Sequence, residues 1–153
     1  MAGVKQIQTA RVVVLRLDGA EAEEAAAGLK RLGLPHVFGV TSIAELSVHI
    51  SDNKVDVIVL ADRHLPPDLA GEAEAAVKPP AEAVKAGIPC LLLLSSMSRA
   101  GARAATSAGF AAVMAADSGP RLIYRRVGAL MQRVRRLGRA RAAEPVDVPV
   151  PGG

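Results

Sequence analysis

The chain has 153 residues, a net charge of +4, half apolar composition, 2% aromatics and a single cysteine, Cys90. One cysteine excludes a disulfide framework. The apolar run around Leu91–Leu94 falls far short of the roughly 20 residues that span a bilayer, and "MAGVKQIQTA" lacks the apolar core of a secretory signal. A soluble protein of the reducing cytoplasm is expected, folded as one domain around Val, Leu, Ile and Ala.

In chain order, "ARVVVLRL" (10–17) predicts a strand from its β-branched run. Asp18 with Glu21 three residues later forms a capping-box pattern, opening a helix over 21–33 that Gly33 stops. "HVFGV" (36–40) predicts a short second strand. Ser42 and Glu45 repeat the box before a helix with Ile43, Leu46 and Ile50 on one face, closed by Asn53-Lys54. "VDVIVLA" (55–61) is apolar without alternation, as expected of a parallel strand covered on both faces. Residues 66–87 are Ala-rich but broken by Pro79-Pro80, which predicts a loop and an irregular helix. "IPCLLLLS" (88–95) predicts the fourth strand, "RAGARAATSAG" (99–109) a small helix capped by Ser98, and "FAAVMAA" (110–116) the fifth strand. Pro120 opens a last helix from about Arg121 to about Ala142. The expected organisation is one domain over 1–142 with an extended basic C-terminal helix, then a Pro-rich tail or linker over 143–153.

Strands and helices in strict alternation imply an α/β fold with one parallel sheet and helices on both faces. Ligands in such folds lie at the carboxyl ends of the strands. Asp62 ends the third strand in "VIVLADRHLP" (57–66), so it holds a site position by architecture.

The chain resembles the receiver domain of bacterial two-component response regulators over about residues 10–138. "VIVLADRHLP" resembles the phosphoacceptor segment, "GIPCLLLLSS" the fourth strand, and "ATSAGFAAVMAA" the approach to the fifth. The resemblance implies a flavodoxin-like, doubly wound five-stranded sheet of order 2-1-3-4-5, with Asp62 at the phosphoacceptor position. It also implies two acids after the first strand to hold Mg²⁺, a lysine after the fifth, and a hydroxyl after the fourth. Here Arg16-Leu17 replace the acid pair, and a one-residue slip brings in only Asp18, which is better explained as a helix cap. Ala116-Asp117 replace the Lys-Pro pair, and no lysine follows Lys85. The hydroxyl is Ser95 or Ser96, although strict counting from Pro89 gives Leu94. The fifth-strand aromatic of the family is Val113 or Met114. The resemblance is therefore to a degenerate, pseudo-receiver form without ordinary Mg²⁺-dependent phosphotransfer.

Asp62 has a structural reading too, as a strand-end acid paired with Arg16, and this is preferred over an active phosphoacceptor. His64 is a loop histidine and His36 and His49 lack ligand spacing, so no metal is expected. Cys90, within an apolar strand, reads as a small hydrophobe. "GLKRLGLPHVFG" is not a dinucleotide fingerprint, no nucleophile–base arrangement is supported, and no cofactor or enzymatic activity is expected.

The charge is uneven. Residues 1–118 carry 11 Lys/Arg and 13 Asp/Glu, whereas 119–153 carry 8 Arg and 2 acids. In the last helix Ile123, Val127, Leu130, Val134 and Leu137 follow a heptad-like spacing, which predicts a homodimer seam centred on Val127, Leu130, Val134 and Leu137. The arginines of that helix, among them Arg125, Arg126, Arg133, Arg135, Arg136 and Arg139, suit phosphates and carboxylates. Some receiver-like proteins are similar in having an arginine-rich segment that binds cyclic diguanylate. DNA is disfavoured, with no helix-turn-helix and no aromatics for stacking. The expected role is a signalling module meeting a kinase or output domain through the fourth helix, fifth strand and last helix. The alternatives are a cyclic diguanylate effector and a phosphoacceptor using Asp62.

Overall fold

A computed structural model of the chain defines residues 10–16, 18–52, 54–62 and 78–143, with the side chains of 133–143 excepted. The strands are β1 (Arg11–Leu15), β2 (His36–Val40), β3 (Val57–Ala61), β4 (Cys90–Leu94) and β5 (Ala112–Ala115). The helices are α1 (Gly19–Lys30), α2 (Ile43–Ser51), α3 (Ala81–Ala86), α4 (Arg99–Ala108) and α5 (Pro120–Ala143). All neighbouring strands pair in parallel, in the order β2-β1-β3-β4-β5. The sheet is the one the sequence predicts, and each strand except β2 is shorter by one or more residues at its ends than predicted.

Alternation within the strands divides the core in two. Val12, Val14, Val57, Val59, Leu91 and Leu93 face one layer with Ala26 and Leu29 of α1 and Val127 and Leu130 of α5. Tyr124, the chain's one tyrosine, packs against this layer half-buried. Val13, Leu15, Ile58, Leu60, Cys90 and Leu92 face the other, with Leu46 of α2, Ala83 of α3, Ala105 of α4 and Phe110. Each buried Val or Leu is worth about 1.5–3 kcal/mol relative to exposure, so two apolar faces on every central strand drive the sandwich.

Local signals set the ends. Asp18 accepts a hydrogen bond from Ala20 N at 2.8 Å, and Ser98 accepts from Gly101 N at 3.0 Å, as N-caps do. Ser42 Oγ accepts from Glu45 N at 3.1 Å, but Glu45 reaches one residue further back than the box predicts. Its Oε1 accepts from Thr41 N at 3.0 Å and Thr41 Oγ1 at 2.8 Å. These bonds favour the charged form and hold the Glu45 carboxyl below its ordinary pKa. At the opposite end of the sheet, Asp56 clips β1 to the approach of β3: its Oδ2 accepts from Arg11 N at 2.8 Å and lies 3.3 Å from Arg11 Nε.

Val127 and Leu130, the first half of the seam expected on α5, are not available to a second copy. Val127 is fully buried and Leu130 is 4% exposed, both in the core layer shared with α1 and the sheet. From Ile123 to Leu130 the spacing arises because the last helix covers the sheet of its own chain. Val134 and Leu137 have side chains outside the described residues.

Candidate functional site

The carboxyl ends of β1, β3, β4 and β5 come together at one edge of the sheet. At β3, Asp62 N donates to Leu93 O at 3.0 Å, which places the aspartate beside the end of β4. Both of its carboxylate oxygens accept from Ser95 N at 3.1 Å, and Ser95 Oγ donates to Oδ2 at 3.1 Å. The hydroxyl partner is therefore Ser95 and not Leu94. Leu94 is the last residue of β4, half-buried and packed against the core. The signal was available in the sequence, where the unbroken run Cys90–Leu94 gives way to Ser95-Ser96.

Arg16 departs from expectation. Its backbone continues β1, with N donating to Val40 O at 3.0 Å. Its side chain is 7% exposed and turns back beneath the strand ends, where Nη1 donates to Leu15 O at 2.9 Å and Val59 O at 3.3 Å. The ion pair expected between Asp62 and Arg16 does not form; the ion pair found among the described residues is Arg11–Asp56. The reason is geometric: main-chain carbonyls lie within reach of the guanidinium, while the two N–H and O–H donors of Ser95 already satisfy Asp62. Burial pulls the Arg16 guanidinium below its ordinary pKa, and the negative charge of Glu21 offsets part of that.

Ala116 occupies the end of β5, its N donating to Leu94 O at 2.7 Å. It presents a methyl group where the receiver pattern has a lysine. Asp18 is exposed and spends its carboxylate on the α1 cap. With Asp18 committed and a buried cation at the end of β1, the described residues do not fit Mg²⁺, whose sites are built from carboxylate and carbonyl oxygens. Among the described residues no group of three or more His, Cys, Asp or Glu side chains stands ready to hold a metal ion. His49 packs its ring 5.1 Å from that of Phe38, His36 is exposed, and His64 lies outside the described residues. Cys90 is buried, its Sγ 3.8 Å from Ile88 O, and desolvation pushes its thiol up to about 12.

Of the arginines in α5, Arg125 and Arg126 are exposed; the side chains of Arg133, Arg135, Arg136 and Arg139 lie outside the described residues. One feature the sequence reading missed is a groove of about 550 Å³ between α1 and α5, with Arg16 in its lining beside Ala116 and Ser118. Gly28 within a helix was its one sequence signal, since a glycine there leaves space a side chain would fill.

No protein-family model matches the chain, and no curated protein does. Solved structures do. A response regulator receiver domain protein from Clostridium thermocellum matches with a TM-score of 0.65 at 16% identity, covering 84% of this chain and 98% of that one. The receiver domain of a Francisella response regulator matches with a TM-score of 0.64 at 20% identity, over 82% and 99% of the two chains. An orphan response regulator of H. pylori matches at 0.59 and 14% identity, over 81% and 98%. The chain thus has the receiver fold, with the sheet order and flanking helices of those domains.

Proposed function

We propose that this receiver-fold chain is a degenerate receiver: a cytoplasmic signalling module that works by protein–protein contact, as a homodimer and with a kinase or output domain, and not by ordinary Mg²⁺-dependent phosphotransfer or any enzymatic activity of its own. One observation carries the reading. Arg16 buries a guanidinium at the end of β1, the position at which the receiver pattern needs metal-holding acids. Ala116 removes the second positive helper, and Asp62 is held by Ser95. Without metal and lysine, an incoming phosphoryl group and the Asp62 carboxylate would meet with little screening.

The contact surface follows from the same geometry. β5 is a sheet edge, and α5 exposes Leu122 at 49% beside Arg121, Arg125 and Arg126. An apolar residue ringed by arginines suits a partner surface that is acidic around an apolar centre. We take 1–142 as the folded unit and 143–153 as its linker. The deciding experiment is incubation with Mg²⁺ and acetyl phosphate or beryllofluoride. We expect no acyl phosphate by intact mass and no change in the amide NMR spectrum; a stable acyl phosphate on Asp62 would return the chain to the working phosphoacceptors. Exposed Arg125 and Arg126 keep a second reading, cyclic diguanylate binding, which calorimetric titration tests directly: no heat with the wild type removes it.

A further inference from the structure

We propose that the groove between α1 and α5 is a binding site for a small monocarboxylate with an apolar body, its head on Arg16. The groove belongs to neither the Asp62–Ser95 pair nor the contact surface above, and the proposal stands whether or not Asp62 accepts phosphate.

The head end is defined by two independent features. Arg16 lines the groove while only 7% exposed. Its Nη1 is satisfied by Leu15 O and Val59 O, whereas Nε and Nη2 have no hydrogen-bond partner among the described residues. A guanidinium stripped of water with donors unused favours an oxyanion that accepts from both nitrogens side by side. The second feature is the start of α5. Ser118 and Pro120 line the groove too, and the first turn of this helix of 24 residues contains no acid. The positive end of its dipole is therefore not answered by a side chain of its own turn.

The body end is apolar. Ala25 and Leu29 of α1, Ile123 of α5 and the strand residues Val14, Ala61 and Leu93 supply its apolar lining. Gly28 keeps the middle open, since a Cβ built there would stand 3.4 Å from the Pro120 ring. Glu21 and Glu24 stand at the exposed edge. Arg31 lines the groove as well, and the charge of Glu21 already acts on Arg16, so two cations and two acids share the lining and a head with a single negative charge disturbs that balance less than a dianionic phosphate. A carboxylate head, an aliphatic or aromatic body and a size within the groove define the class.

The test uses the full chain labelled with ¹⁵N and three probes: hexanoate, hexanamide and hexyl phosphate. Hexanoate is expected to give saturable amide shifts clustered at Gly28, Ser118 and Ile123, with affinity at least about tenfold above hexanamide, the margin a charge-assisted bond provides. Hexyl phosphate is expected to bind more weakly than hexanoate; tighter binding overturns the carboxylate assignment. Arg16→Met should abolish the hexanoate shifts. Because loss of Arg16 also disturbs the strand ends, Gly28→Met serves as the second variant: it fills the groove with Arg16 intact and should abolish binding without lowering the melting temperature. Equal affinity for acid and amide, or unchanged hexanoate binding in a folded Gly28→Met protein, overturns the site. Phosphorylation of Asp62 alongside hexanoate binding would overturn the proposed function and leave the site standing.

Discussion

Cys90 illustrates how a single residue records its surroundings. It sits in β4 with its side chain in the layer of Leu46, Ala83 and Phe110, and burial alone raises its thiol from 9.0 to about 12. The thiolate is the reactive form, so an alkylating reagent at neutral pH should leave native protein unmodified and label it fully in denaturant, read by intact mass. The same shift fixes a sign. Folding holds the proton that the unfolded chain releases, so this contribution is complete below 9.0 and is lost as pH rises toward about 12. Stability measured by denaturant titration should fall through that window, and Cys90→Ser should remove the alkaline dependence belonging to this group. Labelling of the native protein at neutral pH would show that the layer is open.

Among the elements, β2 and α1 approach closely at Gly39. A Cβ on Gly39 would lie 2.8 Å from Ala22 O and 2.9 Å from Ala22 C, both backbone atoms of α1 that cannot rotate away. Gly39→Ala should therefore cost about 1–3 kcal/mol through overpacking and lower the melting temperature by roughly 2–4 °C per kcal/mol, read by circular dichroism. An unchanged melting temperature would mean that α1 can slide on the sheet. The elements themselves were legible in the sequence, because strand hydrophobicity, Ser42 and Ser98 caps and glycine stops are local signals that burial reinforces. Side-chain direction was not legible. Arg16 and Asp62 are neighbours by strand order, and pairing opposite charges was the natural reading; main-chain carbonyls and the Ser95 donors won instead. The sequence leaves the hydroxyl between Ser95 and Ser96 because counting from Pro89 lands on Leu94, one residue short, where β4 ends.

For the molecule as a whole, burial separates folding from assembly. Leu130 is 4% exposed in the core, so Leu130→Asp should severely destabilise the chain, by about 4 kcal/mol or more out of a typical 5–15. It cannot report on a dimer. Leu122, 49% exposed on the same helix, can: Leu122→Asp should leave the melting temperature nearly unchanged and dissociate the proposed homodimer in sedimentation. A wild type that sediments as a monomer at high concentration would remove the self-association surface from α5 and leave the module to a different partner.

The sparse aromatic content has an optical consequence. The chain has one tyrosine and no tryptophan, and Tyr124 packs on the layer where α5 meets the sheet. Intrinsic ultraviolet emission therefore comes from one place, the seat of the last helix, while circular dichroism averages over every helix. Unfolding followed by both signals separates detachment of α5 from collapse of the sheet: superimposed transitions mean one cooperative unit, and an earlier emission change means that the helix lets go first. The protein comes with this reporter built in, and no label need be added to see it.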